Sequence, residues 1–344
     1  MLAHPLRHLT SLAQLVGRPD RFFTPPLHLQ IEPVNRCNMA CPMCKPAGMG
    51  LAQDLSLEGL RGLLTGLRPQ YVTLSGLGEP LLHRDFLAMI GLLKQSGSLV
   101  NTTTNGILLE KMAPDLAASG LDLISVSLDA ASRQAYGRMR NERFYDQVRQ
   151  GIKALVEAKR RRGGGPAIRA SMVISSENYR ETAQFVEHCH GLGVEMVLFQ
   201  PLDPQDIADA SLYQAPPADL RAELLRAQAK AQELGLGSNL PDLLARFDLF
   251  WGADAGPRLA RQCQIIWFSA YVASDLGLRP CCRFAGYPEM TLGHAGSGAE
   301  MGGMNQGPMV EFRRQISQGL RPHPVCRACI PETLGEMLFG RRRY

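Results

Sequence analysis

The sequence predicts an α/β protein: a partial (β/α)6 barrel followed by a small cysteine-rich α+β domain. Six short runs of apolar and β-branched residues alternate with longer segments of helical periodicity, which is typical of parallel strands joined by helices. Right-handed crossovers between six such strands give three quarters of a TIM barrel. Five cysteines after residue 261 predict the second domain.

The repeating units can be placed along the chain one by one. The predicted strands are residues 27–32, 71–74, 99–103, 123–127, 168–174 and 196–199. The predicted helices are residues 56–67, 84–95, 111–118, 131–136 with 144–160, and 179–192. After residue 205 the alternation stops, and helical patterns follow at residues 218–234 and 240–250. We therefore expect an N-terminal extension (1–26), the barrel (27–205), a helical bridge (206–260) and the C-terminal domain (261–344).

Composition limits the classes of function. The net charge of +5 is mild and no basic stripe is interleaved with aromatic residues, so we expect no nucleic acid partner. No apolar run reaches 18 residues, so no transmembrane segment is expected. Residues 1–23 are predicted to form a surface helix; the alternative is an amphipathic segment that touches a membrane. Nine cysteines in 344 residues are too few for a disulfide scaffold and indicate metal in a reducing compartment, hence a cytoplasmic protein.

Three thiols lie within eight residues at Cys37, Cys41 and Cys44, and the next cysteine is Cys189. Three thiolates on a four-position metal centre leave one position open, which is typical of a catalytic centre. A zinc knuckle or a chance cluster of thiols is the alternative. The C-x3-C-x2-C spacing resembles the hallmark of the radical S-adenosylmethionine (radical SAM) superfamily. The resemblance implies a [4Fe-4S] cluster whose free iron binds SAM, and cleavage of SAM to a 5'-deoxyadenosyl radical that abstracts hydrogen from a substrate.

A glycine-rich turn after the second strand carries the next resemblance. It contains Gly76, Gly78, Glu79 and Pro80 and is similar to the superfamily's GGEP motif, with Leu77 inserted. The resemblance implies that the backbone of this turn and Glu79 hold the amino group of the methionine part of SAM. Read by itself, the pattern is also that of a plain tight turn.

Further cofactor contacts are implied by matching positions. Ser127 and Asp129 match the residues that contact the ribose of SAM, and Arg140 matches an arginine that reaches the SAM carboxylate. Their alternative roles are a helix cap and an exposed surface charge. Asn105 is a candidate contact to SAM or substrate, or a turn residue.

The C-terminal cysteines form a second candidate metal site. Cys263, Cys281, Cys326 and Cys329 supply four thiolates, which close a metal centre completely, and Cys282 is an alternative to Cys281. Structural zinc suits four thiolates equally by ligand type.

The surroundings of these cysteines resemble the start of the SPASM and twitch extensions of radical SAM enzymes. In this sequence Cys263 precedes Trp267 by four residues, and Leu276 stands where glycine is usual. The resemblance implies a twitch-like domain with one auxiliary [4Fe-4S] cluster.

A fully ligated second cluster cannot bind SAM, so we expect it to transfer electrons. This favours the oxidation (dehydrogenation) of a small polar metabolite such as a sugar or aminocyclitol, with Asp203 as a weak candidate for the general base. Peptide modification, epimerisation, and radical dehydration or decarboxylation remain open, as does a non-enzymatic zinc scaffold. We expect an external electron donor such as flavodoxin or ferredoxin.

Overall fold

The computed structural model describes residues 5–44, 52–202, 218–251, 263–295 and 303–329. Contacts between residues divide the chain into two compact units. The first unit comprises Met1–Arg36, Gly48–Val100 and Gly256–Arg341, and the second comprises Cys37–Ala47, Asn101–Ala255 and Arg342–Tyr344. The domain bounds that the sequence predicts at residues 26, 205 and 260 stay predictions.

The first unit contains a sheet to which both ends of the chain contribute. Its strands are β1 (His28–Ile31), β2 (Tyr71–Leu74), β8 (Ser269–Val272), β9 (Gly277–Arg279) and β10 (Gly293–His294), in the order β10-β9-β8-β1-β2. β1 pairs in parallel with β2 and with β8, whereas β9 is antiparallel to β8 and to β10. The cysteine-rich segment is thus hydrogen-bonded directly to the first strand of the predicted barrel.

The helices of the first unit lie in three parts of its sequence. They are α1 (Pro5–Gly17), α2 (Leu57–Leu67), α3 (Phe86–Gln95), α11 (Ile265–Phe268), α12 (Gly307–Ser317) and α13 (Pro324–Ala328). Ser56 caps α2, because its Oγ accepts the Gly59 N–H at 3.0 Å and satisfies a donor that the first helical turn leaves free. Leu60, Leu63 and Leu67 are buried on one face of α2, as their spacing predicts.

The N-terminal extension packs against the C-terminal segment. Gln14 Nε2 donates to the Trp267 carbonyl at 3.1 Å, and Trp267 Nε1 donates to the Pro19 carbonyl at 2.8 Å. The buried Arg313 guanidinium lies 4.3 Å from the centre of the Phe22 ring. Helix α1 is therefore a surface helix, as predicted, with Leu15 buried and Val16 69% exposed.

The second unit contains a parallel sheet. Its strands are β3 (Leu99–Thr104, of which residues 101–104 belong to this unit), β4 (Leu123–Ser127), β5 (Ala167–Ile174), β6 (Met196–Pro201) and β7 (Gly237–Ser238), in that order. Its helices are α4 (Leu109–Ala118), α5 (Arg133–Met139), α6 (Tyr145–Arg162), α7 (Thr182–Leu192), α8 (Leu220–Glu233), α9 (Leu240–Ala245) and α10 (Phe247–Trp251). Strand and helix alternate through β6, and the carboxyl ends of parallel strands share one edge of the sheet.

The predicted α/β class and its parallel strands are confirmed. All six predicted strands are present, with bounds that differ by at most two residues. No helix in the described ranges is long and apolar enough to cross a membrane.

Candidate metal and cofactor site

The three thiols of the Cys37–Cys44 loop lie near one another in the second unit. Burial raises the pKa of Cys41 to about 11; Arg140 opposes this rise, while the Cys44 and Cys37 thiols add to it. Cys37 and Cys41 are half-buried and Cys44 is exposed. Cysteine thiolates are the soft donors that iron-sulfur clusters take as ligands, so the residues present fit such a cluster.

Asn105, which follows β3, lies against the first of these thiols. Its Nδ2 is 3.6 Å from Cys37 Sγ and donates to Asn38 Oδ1 at 2.7 Å, while its Oδ1 accepts the Ile107 N–H at 3.0 Å. The side chain is thus fixed by the loop on one side and by its own turn on the other. N–H groups directed at ligand sulfurs adjust the reduction potential of iron-sulfur clusters, so Asn105 would act in this way on a cluster held by Cys37.

Asp129 and Arg140 form a buried ion pair beside the second thiol. Arg140 Nε donates to Asp129 Oδ2, and the two side chains are 9% and 0% exposed. Burial alone lowers the pKa of Arg140, but Asp129 and Cys41 raise it, and the net result lies above its usual value. Arg140 Nη1 lies 3.8 Å from Cys41 Sγ. The guanidinium is thereby fixed next to the thiol loop.

The backbone around Asp129 is built to hold this carboxylate. Asp129 adopts a left-handed conformation with φ +58°, and its Oδ1 accepts the Val173 N–H at 2.7 Å. Asn178 Nδ2 donates to the Asp129 carbonyl at 2.8 Å. With one oxygen on Val173 and the other on Arg140, the carboxylate orients the arginine. Ser127 ends β4 opposite Ser171 of β5 and is half-buried.

Asp129→Asn is expected to lower the free energy of unfolding by about 3–5 kcal/mol, because it leaves the Arg140 charge buried without a counter-charge. Urea unfolding of the anaerobic protein measures this loss. Asp146→Asn is the matched control: its pair with Arg133 is exposed on both sides, and we expect a loss below about 1 kcal/mol. Equal losses in the two variants would show that the buried pair has no special role.

The Gly76–Pro80 turn lies in the first unit, against the chain that leads to Cys37. A Cβ on Gly78 would be 2.2 Å from the Val34 carbonyl oxygen and 2.6 Å from that of Arg36. Only glycine permits this approach of two backbones. The Glu79 N–H donates to the Arg36 carbonyl at 2.9 Å, which fixes the turn to the residue before the first thiol.

The Glu79 side chain is buried and caps the 3₁₀ turn Pro80–Leu82. Its Oε1 accepts the Leu81 N–H at 3.1 Å, and Pro80 begins the turn without a free N–H of its own. The predicted contact of Glu79 with the SAM amino group stays a prediction.

The sequence analysis missed Glu32, which directly follows β1 and is 3% exposed. Its Oε1 accepts the Leu77 N–H at 2.8 Å, and its Oε2 accepts the Ser274 Oγ at 3.2 Å. The alternation of polar side chains at His28, Gln30 and Glu32 was the available signal, since period two places all three on one face of the strand.

The four cysteines of the second candidate site lie near one another in the first unit; they are Cys263, Cys281, Cys326 and Cys329. Burial raises the pKa of Cys263 to about 12, and the Cys329 and Cys326 thiols add to this rise. Burial also raises the pKa of Cys281, with contributions from Cys282, Cys329 and Cys263. Cys281 is buried and Cys282 is exposed.

Backbone N–H groups also point at the sulfurs of this second group. Those of Ile265 and Ile266 donate to Cys263, and that of Arg283 donates to Cys281. Such donors stabilise thiolates, so the donor set fits a cluster with four thiolate ligands. In the ranges that the structure describes, no group of three or more His, Cys, Asp or Glu surrounds a single metal-ion position.

The turn that precedes Cys281 forms despite the absence of the expected glycine. Leu276 adopts the left-handed conformation with φ +64°, and its N–H donates to the Ala273 carbonyl at 2.9 Å. The next residue, Gly277, begins β9. The candidate base Asp203 lies outside the described residues.

Comparison with known proteins decides the family of the thiol loop. Residues 31–189 match the radical SAM superfamily. These residues are a radical SAM domain. All three clustered thiols and every candidate cofactor contact lie within its span. The C-terminal cysteines lie beyond it.

Curated relatives match over about half of this chain. A "Probable GTP 3',8-cyclase" of Saccharolobus islandicus is 34% identical over 191 residues, covering 54% of this chain and 60% of the relative. A protein with the same description from Methanopyrus kandleri is 33% identical over 180 residues, covering 51% and 56%. The match thus spans less than two thirds of either relative.

Solved structures of two other proteins share the fold over most of the chain. Streptococcus suis SuiB aligns at 17% identity and a TM-score of 0.65, covering 89% of this chain and 71% of that one. The protein anSMEcpe with bound AdoMet aligns at 19% identity and a TM-score of 0.65, covering 91% and 88%. At these identities the likeness concerns the fold alone.

Proposed function

We propose that this protein is a radical SAM enzyme that holds a [4Fe-4S] cluster on Cys37, Cys41 and Cys44 and cleaves SAM to start radical chemistry on a substrate. The observation that carries the proposal is the group of three neighbouring thiols in the loop of a radical SAM domain. When bound, such a cluster supplies the electron that splits SAM into methionine and the 5'-deoxyadenosyl radical.

The side chains around the thiols have distinct tasks in this proposal. Asn105 and Arg140 direct N–H groups at the sulfurs of Cys37 and Cys41, which stabilises thiolate charge. Arg140 also presents a fixed guanidinium, which suits the carboxylate of SAM. Asp129 orients that guanidinium with one carboxylate oxygen and accepts the Val173 N–H with the other. A carboxylate oxygen can accept a second hydrogen bond, so the predicted contact of Asp129 with the ribose of SAM stays part of the proposal.

For the turn, we propose that its backbone, Glu79 and the adjoining Pro80 receive the SAM amino group, and that Ser127 contacts the ribose. Gly76 and Gly78 support this role, because each lies where a side chain would displace neighbouring residues. Within the first unit, the Glu79 N–H fixes the turn to the carbonyl of Arg36.

We also propose that Cys263, Cys281, Cys326 and Cys329 hold a second [4Fe-4S] cluster, in which all four irons have a protein ligand. Cys281 is the better candidate than Cys282, because it is buried and lies near Cys329 and Cys263. A closed cluster fits electron transfer, and we propose that the reaction is the oxidation of a small polar metabolite. The substrate loses a hydrogen atom to the radical, an electron to the second cluster and a proton to a base, with flavodoxin or ferredoxin as the external reductant.

A radical rearrangement without net oxidation is the second candidate. It is favoured by the 34% identity to proteins described as probable GTP 3',8-cyclases. The nucleotide in that description is itself a small polar molecule. Two structural neighbours are described with bound peptides, but at 17–19% identity they add nothing for a peptide substrate.

Anaerobic reconstitution with iron and sulfide tests the proposal. We expect about eight iron atoms per chain for two four-iron clusters, and formation of 5'-deoxyadenosine from SAM after reduction with dithionite. Bound zinc without 5'-deoxyadenosine would support a scaffold instead. With GTP as the first candidate substrate, a product lighter by two hydrogens indicates oxidation, and a product of unchanged mass indicates rearrangement.

A further inference from the structure

Glu32 is a buried carboxylate that the proposed chemistry does not use. It follows β1, and its N–H continues the parallel pairing by donating to the Val272 carbonyl at 2.9 Å. A carboxylate is a strong acceptor that is seldom buried without donors. Its donors therefore show what it holds in place.

One carboxylate oxygen is bound to the middle of the Gly76–Pro80 turn. Oε1 accepts the Leu77 N–H at 2.8 Å. A Cβ on Gly76 would lie 2.4 Å from Glu32 Cγ and 2.5 Å from Oε1. The turn and the side chain therefore fit together only when residue 76 is glycine, so the position of Glu32 determines the position of the turn.

The other oxygen is bound to the C-terminal segment. Oε2 accepts the Ser274 Oγ at 3.2 Å and the Ser274 N–H at 3.3 Å, just after β8 ends. Ser274 is itself buried. One carboxylate thus joins the end of β1, the turn after β2 and the turn after β8, all within the first unit.

We propose that Glu32 is a positioning residue for SAM: it holds the Leu77 amide, and through it the Gly76–Pro80 turn, in the arrangement that binds the cofactor, with Ser274 as its anchor. The inference rests on the proposed function. A direct contact of Glu32 with SAM is disfavoured, because three donors already occupy its two oxygens. Charge-assisted hydrogen bonds of this kind have the strength to fix a turn.

This role is tested by measuring the binding of SAM to the anaerobically reconstituted full chain with titration calorimetry. Glu32→Ala is expected to raise the dissociation constant of SAM about tenfold or more, because the turn loses its hydrogen-bond acceptor. Ser274→Ala is expected to raise it about threefold, and to have no further effect when Glu32 is already alanine. In 5'-deoxyadenosine formation, we expect KM for SAM to rise while kcat changes less than twofold.

Glu223→Gln is the matched control, since Glu223 is a buried carboxylate in α8 whose ion-pair partner is Arg226. Glu223→Gln is expected to leave the affinity for SAM unchanged. This holds even if it lowers the thermal unfolding temperature of the protein as much as Glu32→Ala does. Should Glu32→Ala fail to fold, Glu32→Gln and Ser274→Ala replace it. Each is expected to raise the dissociation constant of SAM about threefold.

Two outcomes separate this inference from the proposed function. Wild-type protein that binds SAM, together with folded Glu32 and Ser274 variants whose affinity stays within twofold, would overturn the role of Glu32 alone. Wild-type protein that carries iron but does not bind SAM would overturn the proposed function, and the positioning role with it.

Discussion

Cys41→Ala is expected to abolish the formation of 5'-deoxyadenosine, with a loss of at least about 10³-fold relative to the wild type. Cys41 is the middle thiol of the loop, it is half-buried, and Arg140 lies 3.8 Å from its sulfur. Without it, two thiolates remain for a centre that the proposal assembles on three. Iron analysis of the reconstituted variant is expected to fall from about eight to about four atoms per chain.

Cys189→Ala is the control for this variant. Cys189 is a fully buried free thiol in α7, and burial alone raises its pKa well above the usual value. We expect this variant to keep its full iron content and its full rate of SAM cleavage. A Cys41→Ala protein that still forms 5'-deoxyadenosine at more than a tenth of the wild-type rate would contradict the assignment of this thiol.

Local patterns were sufficient to predict the strands, because each strand is specified by its own few residues. Residues 123–127 were predicted as a strand and form β4 with the same bounds. β8 was not predicted, since its pairing of Ser269 with His28 joins residues 241 positions apart. No local pattern carries that information, and the predicted boundary between barrel and C-terminal domain did not anticipate it.

The candidate site was only partly predictable for the same reason. The spacing of Cys37, Cys41 and Cys44 is a local signal and identified the thiol loop. The pairing of Asp129 with Arg140 depends on a left-handed residue after β4, which the sequence does not reveal. The carboxylate of Asp129 is held by protein donors, which the sequence did not indicate, and the predicted contact of Asp129 with the ribose stays a prediction.

The C-terminal segment contributes to the first unit in more ways than by its cysteines. It supplies β8 beside β1, and Ser274 as a donor to Glu32. The N-terminal extension packs on the same segment through Gln14 and Trp267. A change in this segment is therefore expected to reach the support of the Gly76–Pro80 turn even when no cysteine is altered.

Replacing both Cys326 and Cys329 with alanine is expected to remove the second cluster and to abolish substrate oxidation while SAM cleavage continues. Cys326 lies within α13 and Cys329 directly follows it, and both thiols lie near Cys263. The loop of Cys37, Cys41 and Cys44 belongs to the other unit and should keep its iron, so we expect about four atoms per chain. The measurements are iron content, 5'-deoxyadenosine and oxidised product, each compared with the wild type.

Cys282→Ala is the matched control and also decides which of the two adjacent cysteines is a ligand. Cys282 is exposed, whereas Cys281 is buried among the other thiols, so loss of Cys282 should leave both clusters and both activities intact. Undiminished substrate oxidation in the Cys326 and Cys329 double variant would exclude electron transfer through the second cluster. The electron that the substrate loses would then have to pass to another acceptor, such as the cluster on Cys37, Cys41 and Cys44 or the external electron carrier.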